Sequence, residues 1–221
     1  MIVDHEVIET ARAKLYTAVL SDVLDALGYR HQALPPRIRP LDDELVLVGR
    51  ARTGLYHDVY HVPPGHNPYA LEIALVDDLK PGEVPMLACG TSGRIAPWGE
   101  LLTTASLARG ATGCITDGMV RDIKAIRKLG FPVFCGGIGP LDSKGRGEIV
   151  ATDVPIECAG VVVNPVDLVF VDADGVVVVP QPIVRQALAL ALEKVEGEDR
   201  TREELRQGAL LAEVFAKHGV L

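Results

Sequence analysis

Apolar positions along the chain alternate between two periods. Residues 5–16 repeat at helical spacing. TAVLSDVLDAL (17–27) does the same and stops at Gly28, which predicts two short helices. A proline-bearing connector (29–43) leads to LVLVGRARTGLY (45–56), which is rich in β-formers and reads as a strand. HVPPGHNPY (61–69) is a loop, ALEIALVDDL (70–79) a short helix, and Pro81-Gly82 turns the chain into the strand EVPMLACG. After the glycine-rich loop GTSGRIAPWG (90–99) come a helix (100–110), the strand GCIT (113–116), the helix RDIKAIRKLG (121–130) and the strand FPVFC (131–135). Strands and helices in strict alternation are the mark of a βαβ core. GGIGPLDSKGRGE (136–148) reads as a long loop. IECAGVVV and DLVFVDADGVVVVP are β-rich, with Asp174-Gly175 as a hairpin turn. Residues 181–218 are helical, with a break predicted near Gly197. The expected architecture is one α/β domain over 1–180 with a β-rich second layer, followed by a helical arm over 181–221 that packs on the same or a neighbouring subunit.

Composition narrows the partners. Of 221 residues, 48% are apolar and 24% charged, as in a soluble globular chain. A net charge of -8 argues against a nucleic-acid backbone, which is bound by clustered Lys and Arg. It does not exclude a small anion, since one Arg can reverse the field inside a cleft. Cys89, Cys114, Cys135 and Cys158 form no Cys-x-x-Cys pair and read as reduced, buried thiols. The acidic start MIVDHEVIETARAKL does not read as a signal peptide, and no apolar run reaches membrane-span length. A cytoplasmic protein is the expectation.

Candidate chemistry concentrates at Glu100, Arg121 and Asp122. Twenty residues separate Glu100 from Arg121, and each point opens a helix just after a strand. Both therefore fall at the carboxyl end of a parallel sheet, where ligands bind. A carboxylate there can hold a hard cation, and a guanidinium can fork onto a carboxylate or keto oxygen. The plain alternative is that acids favour first helical turns for capping and dipole reasons. His57 and His61 lie four apart, but Pro63-Pro64 breaks any helix, so they and His66 read as loop residues rather than a zinc pair. Lys124 is a Schiff-base candidate three residues after Arg121, though Arg127 and Lys128 beside it suggest a solvated face. Lys144 and Arg146 stand in a polar turn that could guard a site entrance. No Gly-x-Ser-x-Gly elbow, P-loop or dinucleotide fingerprint is present.

Four blocks, LSDVLDALG, WGELLTTASLARGATGCITDGMVRD, PVF with its glycine loop, and DADGVVVVP, give the chain a resemblance over nearly its whole length. It resembles the 4-hydroxy-4-methyl-2-oxoglutarate aldolase / RraA-like family. The most specific block is an acid, twenty residues, then Arg-Asp. The resemblance implies an α/β/β/α sandwich-like domain of the swivelling β/β/α type, assembled as a homo-trimer or dimer of trimers with sites between subunits. It implies a divalent-metal lyase that cleaves 4-hydroxy-2-oxo acids to pyruvate and decarboxylates oxaloacetate. By position, Asp122 would bind Mg²⁺ or Mn²⁺, Arg121 would hold the keto or enolate oxygen, and backbone amides from Gly99 through Glu100, Leu101 and Leu102 would cradle the substrate carboxylate. Glu100 would orient a water of the metal's shell, and Glu198 would reach in from a neighbouring subunit. The resemblance also covers RraA regulators, which inhibit an RNA-degrading enzyme by protein contact and lack the Asp. Two departures stand out. The family places an acid shortly after the Asp, where this chain has Ala125, Ile126 and Arg127, and His66 stands where an acid is expected.

Overall fold

The computed structural model describes residues 5–219, so readings made on residues 1–4 and 220–221 lie outside it. The chain begins with α1 (His5–Lys14), α2 (Thr17–Ala26), β1 (Arg39–Pro40) and β2 (Leu47–Asp58). Then come α3 (Ala70–Asp77), β3 (Glu83–Ala88), α4 (Glu100–Ala108), β4 (Cys114–Val120), α5 (Ile123–Leu129) and β5 (Val133–Ile138). The rest is β6 (Gly147–Thr152), β7 (Ile156–Cys158), β8 (Val161–Val163), β9 (Leu168–Asp172), β10 (Gly175–Val179), α6 (Val184–Arg206) and α7 (Leu211–His218).

Strands β2, β3, β4 and β5 are parallel neighbours, with α3, α4 and α5 as their crossovers. Beyond β2 the sheet continues antiparallel through β9 and β10, and β6 pairs with the far half of β2. The connector after α2 brings the two outer edges together. At one end the Leu34 amide donates to Val176 O (2.9 Å) and the Val178 amide to Gln32 O (2.8 Å). At the other, Arg39 and Pro40 pair with Cys135 and Phe134 of β5. The sheet is thereby nearly closed.

Side chains along these strands alternate as the pleat demands. Val84, Met86 and Ala88 of β3, Ile115 of β4, Phe134 of β5, Val169 and Val171 of β9, and Val176 and Val178 of β10 point inward to one core, with the β7–β8 hairpin packed into it. The opposite faces pack outward. Leu87, Cys114, Val120, Val133 and Cys135 meet the α3–α5 side. Val48, Phe170, Val177 and Val179 meet α1, α2 and α6. Helices thus cover both sides of a folded-over sheet, the expected α/β/β/α order. Within the arm, Ala187, Leu188 and Ala191 of α6 are buried in the α1–α2 core of the same chain.

Two boundaries differ from the sequence reading. β4 does not end at Thr116. It bulges at Asp117-Gly118, with one extra residue, and pairs again with β5 at Met119 and Val120. Nor does α6 break at Gly197, which is buried inside a continuous 23-residue helix. The left-handed glycine that follows the helix is Gly208 (φ +91°). No helix among the described residues is long and apolar enough to cross a membrane.

Phe134 is fully buried in the inner core. Phe134→Ala should cost about 3–5 kcal/mol by opening a cavity. A urea-unfolding midpoint within error of wild type would contradict the inner-core assignment.

Candidate active site

The bulge in β4 sets up the site. Past it, the strand runs alongside residues 95–98. The Met119 amide donates to Ile95 O (3.0 Å), Trp98 bridges Val120, and the Arg121 amide donates to Trp98 O (3.1 Å). This pairing brings the start of α4 beside the end of β4. Trp98 is buried and anchored, its indole N–H donating to Thr103 Oγ1 (2.9 Å) and its ring stacking on Phe131.

Asp122 then takes a left-handed conformation (φ 59°, ψ 28°), uncommon for a residue with a side chain but tolerated by Asp. Its carboxylate makes no capping bond to its own helix α5. It turns instead towards α4, accepting from the Glu100 amide at 3.4 Å. Asp122 therefore does not cap its own helix; its one helix-terminal bond goes to the first amide of α4. Glycine at 99 leaves this carboxylate its place, since a Cβ there would stand 2.8 Å from Asp122 Oδ2 and push it aside. The first helical bond of α4 runs from the Thr103 amide to Gly99 O, so the amides of Leu101 and Leu102 precede the helix's own bonding. The Glu100 carboxylate accepts from Thr104 Oγ1 (2.8 Å) along its own helix.

These groups line one cleft of about 330 Å³. Its wall also carries residues that the sequence reading missed: Tyr69, Glu72, Asp142 and Ser143. Arg121 stands between two carboxylates, with Nε 3.7 Å from Asp122 Oδ2 and Nη1 3.9 Å from Asp142 Oδ2. The Tyr69 hydroxyl donates to Asp142 Oδ2 at 2.8 Å. Burial and this bond push the Tyr69 hydroxyl up to about 12. Burial works against ionisation of Asp142, but the Tyr69 hydroxyl, the Lys144 amide and Arg121 together hold its carboxyl below the usual range. Deeper in, the Tyr56 hydroxyl donates to Glu72 Oε2 (2.6 Å), and burial pushes the Glu72 carboxyl up against that bond.

Gly99, Glu100, Leu101, Leu102, Arg121 and Asp122 therefore meet as the spacing implied. Glu198 does not join them within the chain: it sits on α6, bonded by the Tyr16 hydroxyl, with Arg202 3.8 Å away. His57 and His61 are exposed and His66 pairs with Glu148 (2.8 Å), all away from the cleft wall. Lys124 is exposed, and no lysine is among the residues lining the cleft. Arg146 reaches the carbonyl of Asp142 (3.2 Å). All four cysteines are free and buried, and burial pushes each thiol up, away from nucleophilic use.

The donor set fits a hard divalent cation that keeps most of its own water. Asp122 offers a carboxylate with 51% of its side chain exposed. Among the described residues no three His, Cys, Asp or Glu gather into a closed cage. Mg²⁺ and Mn²⁺ sites are commonly built from one or two carboxylates plus water and substrate oxygens.

A nearly closed α/β sheet thus carries at its strand ends a cleft in which one arginine stands between two acids. Residues 17–178 match the RraA-like family model, described as Aldolase/RraA, and the chain belongs to that family. A relative from Halalkalibacterium halodurans, provisionally named a 4-hydroxy-4-methyl-2-oxoglutarate aldolase, is 34% identical over 187 residues, covering 85% of this chain and 82% of that protein. Protein DlpA of Legionella pneumophila is 30% identical over 201 residues, covering 88% of this chain, which spans only 31% of DlpA's length. The crystal structure of RraAS2 from Streptomyces coelicolor, described as an unusual member of the RNase ES inhibitor RraA family, superposes with a TM-score of 0.80 at 27% identity, over 91% of this chain and 98% of that one.

Because the folded state holds the Glu72 proton more tightly than the unfolded chain, the stability from this group is whole below the ordinary Glu range. It is lost as pH rises through the raised value. Glu72→Gln should flatten that part of the curve, read as urea midpoints from acid to neutral pH. An unchanged slope would remove Glu72 from the account. Gly99→Ala should leave the fold intact yet displace Asp122, visible as a changed Asp122–Glu100 contact in a crystal structure of the variant.

Proposed function

We propose that this chain is a divalent-metal-dependent carbon–carbon lyase of the pyruvate-aldolase type. It cleaves 4-hydroxy-2-oxo acids such as 4-hydroxy-4-methyl-2-oxoglutarate to pyruvate and decarboxylates oxaloacetate. The observation that carries the reading is Asp122, held left-handed so that its carboxylate leaves its own helix and faces the start of α4 beside Arg121.

The substrate carboxylate meets the amides of Leu101 and Leu102, where the partial positive charge of a helix start favours an anion. Arg121 donates to the keto oxygen. Asp122 would hold Mg²⁺ or Mn²⁺, and the ion, when bound, would supply positive charge beside the keto oxygen. Loss of the proton from the 4-hydroxyl to water lets the C3–C4 bond break. One fragment leaves as a carbonyl compound, and the electron pair remains on the pyruvate enolate, which takes a proton at C3. With oxaloacetate the same enolate follows loss of CO₂. Arg121 stabilises that developing charge from a fixed position, which is where such groups contribute most. A homo-trimer or dimer of trimers would let Glu198 approach a neighbour's cleft.

The likeness to RraAS2 supports a second reading, a non-enzymatic regulator that binds an RNA-degrading enzyme. Asp122 favours the lyase, since a protein contact has no need of a carboxylate and an arginine turned into a cleft.

Pyruvate release from oxaloacetate and from 4-hydroxy-4-methyl-2-oxoglutarate, with Mg²⁺, with Mn²⁺ and with EDTA, tests the reading once the metal-only background is subtracted. EDTA should abolish turnover. Asp122→Ala should abolish it in a folded protein, and Arg121→Lys should lower it, because a point charge does not replace a planar fork. Full activity in folded Asp122→Ala would sink the site, and borohydride trapping of substrate would favour a lysine route.

A further inference from the structure

The acid that the family pattern places shortly after Asp122 is absent, and positions 125–127 carry no carboxylate. The cleft nonetheless has a carboxylate on the far side of Arg121. Asp142, on the loop between β5 and β6, has Oδ2 at 3.9 Å from Arg121 Nη1, while Asp122 Oδ2 lies 3.7 Å from Nε. The guanidinium plane is thus held from two directions, at ion-pair rather than hydrogen-bond distance. Asp142 is itself held. Its Oδ2 accepts from the Tyr69 hydroxyl (2.8 Å), its Oδ1 from the Lys144 amide (3.4 Å), and its backbone carbonyl from Arg146 Nη1 (3.2 Å). The Lys144 and Arg146 bonds are local to the turn, whereas Tyr69 reaches Asp142 from 73 residues away and leaves Oδ2 turned towards Arg121.

We infer that Asp142, fixed by Tyr69, is the positioning residue for Arg121 and does the work of the missing acid from a different loop. The inference rests on the lyase reading. Without Asp142 the guanidinium is drawn to Asp122 alone, tilts off the keto oxygen and crowds the carboxylate meant for the cation. Misplacement of a fixed donor acts on the charge that develops during bond breaking, so it lowers kcat more than it raises KM. Tyr69 acts on Arg121 through Asp142, to which its hydroxyl is bonded.

The test compares wild type, Asp142→Asn, Asp142→Glu, Tyr69→Phe and the Tyr69→Phe/Asp142→Asn double variant. All are measured with both substrates over a range of Mg²⁺ concentrations, after thermal melting shows each to be folded. Asp142→Asn should lose about 10- to 100-fold in kcat, the size usual for partners that orient a site group, with KM and the half-saturating Mg²⁺ concentration little changed. Asp142→Glu should recover part of the loss. Tyr69→Phe should lose less, and its effect should vanish in the Asp142→Asn background. Wild-type kcat in folded Asp142→Asn would overturn the inference. So would a rise in half-saturating Mg²⁺ that accounts for the whole loss, because Asp142 would then belong to the cation. Independent, multiplying losses in the double variant would overturn the role of Tyr69. Wild type inactive on both substrates would defeat the lyase reading itself and this inference with it, a result distinct from any failure among the variants.

Discussion

A sheet that folds back on itself must fill its own inside, and that requirement governs most of this chain. Every inner position needs an apolar side chain and every outer one must suit a helix, which is why β3, β9 and β10 alternate without a break between two cores. Where strands come too close for a side chain, the sequence has none. A Cβ at Gly113 would stand 1.9 Å from Leu47 Cδ1, and one at Gly136 would stand 2.2 Å from the Asp117 carbonyl oxygen. The buried Asp117 carboxylate ties the end of β3 to the β7–β8 hairpin by accepting the amides of Cys89 (2.5 Å) and Ala159 (3.0 Å). Burial still pushes that carboxyl up, so it is an internal brace held at some electrostatic cost.

The cleft follows from the same constraint. Parallel strands joined by helices leave their carboxyl ends free of covering elements, and loops collect there. Within that rim the decisive event is local. One residue in the left-handed region, strained by about 1 kcal/mol or more, moves a carboxylate from its own helix to the start of the neighbouring one. Strand pairing at Trp98–Val120 brings the two helix starts together, and the glycine at 99 leaves room for the carboxylate.

Much of this was legible in the sequence, for reasons that residues make plain. Runs of β-formers on either side of an Asp-Gly, such as VFVDADGVVVV, name their own strands and turn. Glu100 and Arg121-Asp122 could be placed together because both follow strands of one parallel set. The end of β4 was set too early at Thr116, because the bulge at Asp117-Gly118 interrupts the apolar run although the strand continues. Tyr69, Glu72 and Asp142 were illegible because no period links a helix, a loop and a strand end across such separations. The empty positions after Asp122 were the one hint that another carboxylate would be called in.

β2 shows what such an arrangement does to the chain as a moving object. Along residues 50–55 it has β3 on one side. On the other it meets β9 over 47–50 and β6 over 54–58, with Ala51 and Thr53 bonded to 166–167 and Asp153 in between. Its amides are therefore sheltered along the whole length, by partners that come from both halves of the sequence. No partial opening that keeps either half intact releases it, so its protons should be the last to exchange with solvent and should report the unfolding of the entire molecule.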